Sequence, residues 1–224
     1  MIGVVLMLPE TGQCQTVLME QDVNADTTVP KFGRNRTHFV GSFVGAGIML
    51  GQAEGDSSIG LRNGRSAAYS YGQYYKFKVS KSYSMLFSAT YRYSRYEFEL
   101  GDQQKYNRLI LNEIMGEFVH RLNFGKRGNY IGNYVEAGFS GDYSVQNMIK
   151  IKTKNNDVDL PYQRKKEMII NLNYLQKFNY SGHVRLGFNK FVIGADYRLS
   201  DLVNDKASYD LPPLILSLRF DMGA

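Results

Sequence analysis

The chain has 224 residues, a formal charge of +6 and 43% hydrophobic residues, which suits one undivided all-β domain and is too apolar for a disordered tail. Its 17 Tyr, 13 Phe and 22 Gly against 5 Pro favour sheets with tight approaches over a helical bundle. Lys and Arg are dispersed along the chain rather than gathered in one patch, which argues against nucleic acid as a partner.

At the amino end, Ile2-Gly3-Val4-Val5-Leu6-Met7-Leu8-Pro9 is a short apolar run of the signal-peptide kind. Gly12 and Cys14 stand third and first before a cut that would start the mature chain at Gln15. Residues 1–14 are therefore expected to be an export-signal remnant. Cys14 is the only cysteine, so no internal disulfide can form. Residues 15–35 carry Asp22, Asn24, Asp26, Thr27 and Thr28 and read as a flexible polar lead-in to a domain over 36–224. No stretch approaches the roughly 20 apolar residues of a membrane helix.

From Arg36 onward, strand-like segments alternate with turn signals. The pattern predicts strands near 37–51, 66–80, 83–99, 108–123, 129–146, 177–188, 190–200 and 212–223. Short turns fall at Ser80-Lys81-Ser82, Gly125-Lys126-Arg127-Gly128 and Asn189-Lys190, and longer connections at 52–65, 100–107, 147–176 and 201–211. Short turns at one end and long loops at the other is the layout of an up-and-down barrel of the outer-membrane type.

Period-two alternation sends successive side chains to opposite faces. Met85, Phe87, Ala89, Tyr91 and Tyr93 oppose Ser84, Leu86, Ser88, Thr90, Arg92 and Ser94. Next, Ile114, Phe118 and Leu122 oppose Glu113, Glu117 and Arg121, and Ile131, Val135, Ala137, Phe139 and Tyr143 oppose Glu136, Ser140 and Asp142. Phe178, Tyr180, Val184, Leu186 and Phe188 oppose Asn179, Ser181, His183 and Arg185. The last two strands set Ile193, Tyr197, Leu216, Leu218 and Phe220 against Asp196, Arg198, Arg219 and Asp221. The glycine-rich first strand does not sort cleanly, and Gln73 interrupts the Tyr face of the second.

Alternation alone leaves open a soluble, calycin-like ligand-binding barrel with apolar residues inside. Near-balanced signs on the polar face favour the inverse. Arg92, Arg121, Arg185, Arg198 and Arg219 accompany Glu113, Glu117, Glu136, Asp142, Asp196 and Asp221, a set able to neutralise itself in a narrow lumen. Tyr69, Tyr71, Tyr75, Phe77, Tyr93, Tyr96, Phe98, Tyr130 and Tyr134 cluster near strand ends in the manner of interfacial girdles. The expectation is an all-β, eight-stranded, antiparallel up-and-down transmembrane β-barrel with a charge-filled lumen.

The segment Phe178-Asn179-Tyr180-Ser181-Gly182-His183-Val184-Arg185-Leu186-Gly187-Phe188, with Tyr197-Arg198-Leu199-Ser200-Asp201-Leu202 and Leu211-Pro212-Pro213-Leu214, resembles the closing strands of small outer-membrane barrels. These are the proteins broadly related to OmpA and OmpX, especially the Bacteroidetes type. The chain departs from that pattern by running four residues past Phe220. The resemblance implies the outer membrane of a Gram-negative bacterium, and lipid or lipopolysaccharide and other envelope proteins as partners. It also implies a structural or interaction role, one version being a secretion accessory of the PorT type.

Family members also include lipid A-modifying enzymes, which leaves an enzyme as an alternative. His120 falls on the apolar register of its strand, but a nucleophile partner cannot be located from sequence. No metal-ligand spacing or phosphate loop appears in its required context, and no cofactor is expected. Lys150, Lys152, Lys154, Arg164, Lys165 and Lys166 make the connection at 147–176 a basic loop suited to an anionic surface.

Overall fold

A computed structural model of the chain describes residues 33–51, 59–62, 64–100, 105–124, 130–154, 164–170, 172, 175–203 and 211–222. The expected signal segment and most of the lead-in lie outside these. The strands are β1 (His38–Leu50), β2 (Ile59–Leu61), β3 (Ala67–Lys78), β4 (Tyr83–Leu100), β5 (Lys105–Phe124), β6 (Asn133–Lys154), β7 (Arg164–Ile170), β8 (Phe178–Phe188), β9 (Phe191–Arg198) and β10 (Leu214–Asp221). All pairings are antiparallel, and β10 returns to β1 with Phe43 opposite Asp221 and Leu50 opposite Leu214. Of ten strands, β2 pairs only β4 and β7 only β6. The other eight close on themselves, which leaves no free edge in the barrel wall.

Turn chemistry sets the two ends. At β3–β4, Ser80 Oγ accepts from the Tyr83 backbone N–H at 3.1 Å. At β8–β9, a two-residue turn places Asn189 at φ 56°, a left-handed conformation that Asn tolerates. The expected turn at 125–128 lies outside the described residues. The strand ends that lead into the longer connections lie at the opposite end, where β2 and β7 prolong the wall beside β4 and β6.

Two boundaries differ from expectation. The described residues of the segment read as a loop over 147–176 are largely strand, because Ile149, Ile151 and Met168–Ile170 supply ladder-forming positions among the lysines. The six basic residues therefore occupy paired strands, with Lys154 opposite Arg164 and Lys152 opposite Lys166. Second, the β5–β6 register shifts at Asn112/Glu113. One extra residue, Val145, is accommodated there. The buried positions of β6 change from even (Tyr134 to Ser144) to odd (Asn147), as a β-bulge requires.

Apolar side chains cover the exterior. Val184, Ile193, Ile114, Phe139 and Leu218 are each more than half exposed, while Glu113, Glu136, Asp142 and Arg121 are at most 3% exposed. The β1 glycines, which blurred its alternation, share the inward face with Phe39, Phe43 and Met49. The interior is layered. At the loop end, Met49, Tyr96, Phe98, Leu109 and Leu111 pack with Leu172, Leu175, Leu202, Val203 and Leu211 from the connections. Toward the turn end lie Phe43, Tyr74, Leu86 and Val119, and a smaller group of Ile131, Tyr134 and Val192. Charges fill the space between and among these layers.

Three residues expected in the aromatic girdles are corrected. Tyr96, Phe98 and Tyr134 are buried at 3%, 5% and 1% exposure. Tyr96 and Phe98 share strand parity with Arg92, and Tyr134 shares it with Glu136, so alternation carries them inward. Tyr69, Tyr71, Tyr75, Phe77 and Tyr130 are exposed and Tyr93 is half-buried.

Candidate functional site: the interior charge ladder

Residues four apart on a strand share a face two steps along it. On β5 this stacks Arg121, Glu117 and Glu113 up the lumen. Each organises one tier with inward residues of other strands, among them the direct ladder partners Glu136 of Arg121 and Arg92 of Glu113.

Nearest the turns, Arg121 Nε donates to Glu136 Oε1 at 2.7 Å, and Arg219 donates to Glu136 Oε2 at 3.3 Å. Arg219 also lies 3.2 Å from Asp221 Oδ1, and Tyr134 donates to the other Asp221 oxygen at 3.4 Å. The guanidinium of Arg121 stands 4.0 Å over the Tyr134 ring, and that of Arg219 4.6 Å over Phe43. Aromatic faces thus replace part of the hydration both cations lose.

In the middle tier, Arg185 donates to both Glu117 oxygens at 2.6 and 3.3 Å and to Asp196 Oδ1 at 2.9 Å. Ser88 donates to Glu117 at 2.6 Å and Ser217 to Asp196 at 3.1 Å. The third tier joins Arg92 to Glu113 at 2.8 Å and to Asp142 at 2.9 Å. Ser94 and Ser181 add donors to these carboxylates, each at 3.2 Å. Each buried guanidinium thus meets two carboxylates or a carboxylate and an aromatic ring, the condition for holding charge away from water.

Arg198, expected in the ladder, shares the inward parity of Asp196 on β9 and lies beyond the three tiers. It is half-buried at the loop end and donates to the backbone carbonyls of Ser200 and Leu211 at 3.0 and 2.5 Å. It fastens the β9–β10 connection. Glu97 escaped sequence reading, since its parity is opposite to that of Arg92. It is 2% exposed between Arg65 at 3.4 Å and Arg108 at 3.1 Å. Of the basic set, Lys150 is exposed on β6. Lys152, Lys154, Arg164, Lys165 and Lys166 are placed by strand register only.

Among the described residues, apolar layers pack the interior around the ladder. The cavity beside the ladder, lined by Gly45, Gly47, Arg92, Glu117, Arg185 and Arg219 among others, has a volume of about 50 Å³. That is room for a few waters, consistent with an eight-stranded wall whose interior side chains fill. Glycines create the fit. A Cβ on Gly187 would run into the ring of Tyr134, and one on Gly194 would lie 2.7 Å from Arg185 Cγ.

The histidine considered for catalysis has no such setting. The Nδ1 of His120 is 2.6 Å from the Tyr83 hydroxyl, and its ring packs edge-on against Phe118. His38 makes the matching contact, 2.5 Å to the Tyr75 hydroxyl. Both pairs lie at the turn end of the wall. No protein-family model matches the chain, and no curated protein matches its sequence.

Proposed function

We propose that this barrel spans the outer membrane of a Gram-negative bacterium as a non-enzymatic structural or interaction component. The observation that carries the reading is the inverted polarity: exposed Val184, Ile193 and Leu218 outside, buried Arg121, Glu117 and Asp142 inside. A barrel in water gains by the opposite arrangement, since each large apolar side chain removed from water stabilises by about 1.5–3 kcal/mol. In lipid the apolar band is the favourable surface. The tyrosines and histidines near the wall's ends supply side chains that are apolar at one end and polar at the other, as interfaces favour.

A pore role is disfavoured by the filled lumen and by the apolar layer under the loop-end connections. A role in contact with envelope lipids or proteins suits the prolongation of the wall by β2 and β7. The likeness of the closing strands to Bacteroidetes-type barrels points the same way, including the version in which the protein assists a secretion machine. Membrane fractionation combined with heat-modifiable gel migration tests the proposal. Recovery with outer membranes and a faster-migrating unheated band is expected. Recovery in the aqueous phase without detergent would establish the soluble, calycin-like alternative instead.

A further inference from the structure

We infer that the middle tier is a binding site for a divalent transition-metal ion of the zinc class, held by Glu117, His183 and Asp196. Each offers one ligand atom, and these atoms lie within 4.8 Å of one another. Metal–ligand distances of about 2.0–2.2 Å set tetrahedral ligand atoms about 3.4 Å apart, so small side-chain rotations complete the set. Imidazole with two carboxylates is a donor combination that such ions accept.

The second, independent observation is His183 itself. It is 4% exposed, and neither ring nitrogen has a hydrogen-bond partner among the described residues. A buried polar atom left unsatisfied costs about 1–3 kcal/mol, and a ligated nitrogen removes that cost. Gly138 makes room for the ring, since a Cβ there would approach Nε2 to 2.8 Å. The two carboxylates are already oriented by Ser88, Ser217 and Arg185, as metal-binding carboxylates commonly are. Each keeps lone pairs those donors do not use. Both also line the water-sized cavity, which offers space for a further ligand.

The middle tier itself carries two carboxylates, Glu117 and Asp196, against one guanidinium, Arg185. Across the three tiers, six carboxylates (Glu113, Glu117, Glu136, Asp142, Asp196, Asp221) face four guanidiniums (Arg92, Arg121, Arg185, Arg219). Arg34 adds a further positive charge beside Asp221, to whose backbone carbonyl it donates at 3.5 Å. Lys76, Lys78 and Arg198 are engaged toward the two ends with backbone carbonyls of Arg34, Asn35 and Leu211. The site is internal to the barrel and stands independently of what covers the exterior.

Full-length protein in detergent, stripped with a chelator and dialysed, is titrated with Co²⁺ and then Zn²⁺. One Co²⁺ per chain with a visible d–d band is expected, displaced by Zn²⁺. His183→Gln weakens binding by at least on the order of 100-fold, whereas His38→Ala and His120→Ala leave it unchanged. Heat-modifiable migration verifies that each variant is folded. X-ray absorption of the wild-type complex reads an imidazole ligand without any variant. Absence of stoichiometric metal, no imidazole ligand in that spectrum, undiminished binding by H183Q, or loss of binding in H38A or H120A would overturn the site.

Discussion

Replacing Arg121 by Met tests whether the ladder holds the barrel together. The side chain is 1% exposed, donates to Glu136 at 2.7 Å and covers the Tyr134 ring. Its removal leaves Glu136 with Arg219 at 3.3 Å as its remaining arginine partner. Breaking one partner of a buried pair costs about 3–5 kcal/mol, because a charge stays behind in a poor solvent. With a urea slope of about 2 kcal/mol/M, the unfolding midpoint falls by about 1.5–2.5 M. The double variant Arg121→Met/Glu136→Leu removes both charges and leaves Arg219 with Asp221, so by the same principle it recovers part of the loss. Urea titration in detergent or vesicles, read by heat-modifiable migration and tryptophan-free near-ultraviolet dichroism of the tyrosines, measures all three proteins. A single-variant loss below about 1 kcal/mol, or a double variant no more stable than R121M, would refute a cooperative charge tier.

Val184→Arg, at a position 56% exposed on the outer wall, should cost about 2–4 kcal/mol in lipid vesicles if it meets the bilayer centre. A change within about 0.5 kcal/mol would indicate a solvated wall. Gly187→Ala should destabilise by about 1–3 kcal/mol through collision with Tyr134, and a neutral result in the same titration counts against the close approach. Leu202→Ala, at 1% exposure in the loop-end cluster, should cost about 2–5 kcal/mol. Proteoliposomes of the unaltered protein should show no sugar-driven swelling, because the interior cavity holds only a few waters; swelling would contradict a filled lumen.

The wall was legible because its cause is local. A strand alternates its side chains whatever it pairs with, so Arg92, Glu113 and Arg185 separate from Tyr91, Ile114 and Val184 in the bare sequence. The eight wall strands and the Asn189 turn follow the same local chemistry. What was hidden is non-local. The bulge at Val145 resets parity through a pairing with β5 that no window of β6 contains. The strand character of 164–170 was obscured by lysines whose neighbours across the ladder were unknown. Tyr96, Phe98 and Tyr134 resemble girdle residues by composition and enter the core by parity.

The sequence by itself determined that one face of this sheet is apolar and the other charged, since alternation and composition are properties of each strand alone. Only the tertiary structure decided which acid meets which base. Glu117 reaches Arg185, 68 positions away in the chain, because β5 and β8 both pair with β6 and turn these side chains to the same inner face. Pairing between strands likewise sets Glu97 opposite Arg108 and His183 opposite Asp196 near Glu117, arrangements that no spacing along the chain encodes.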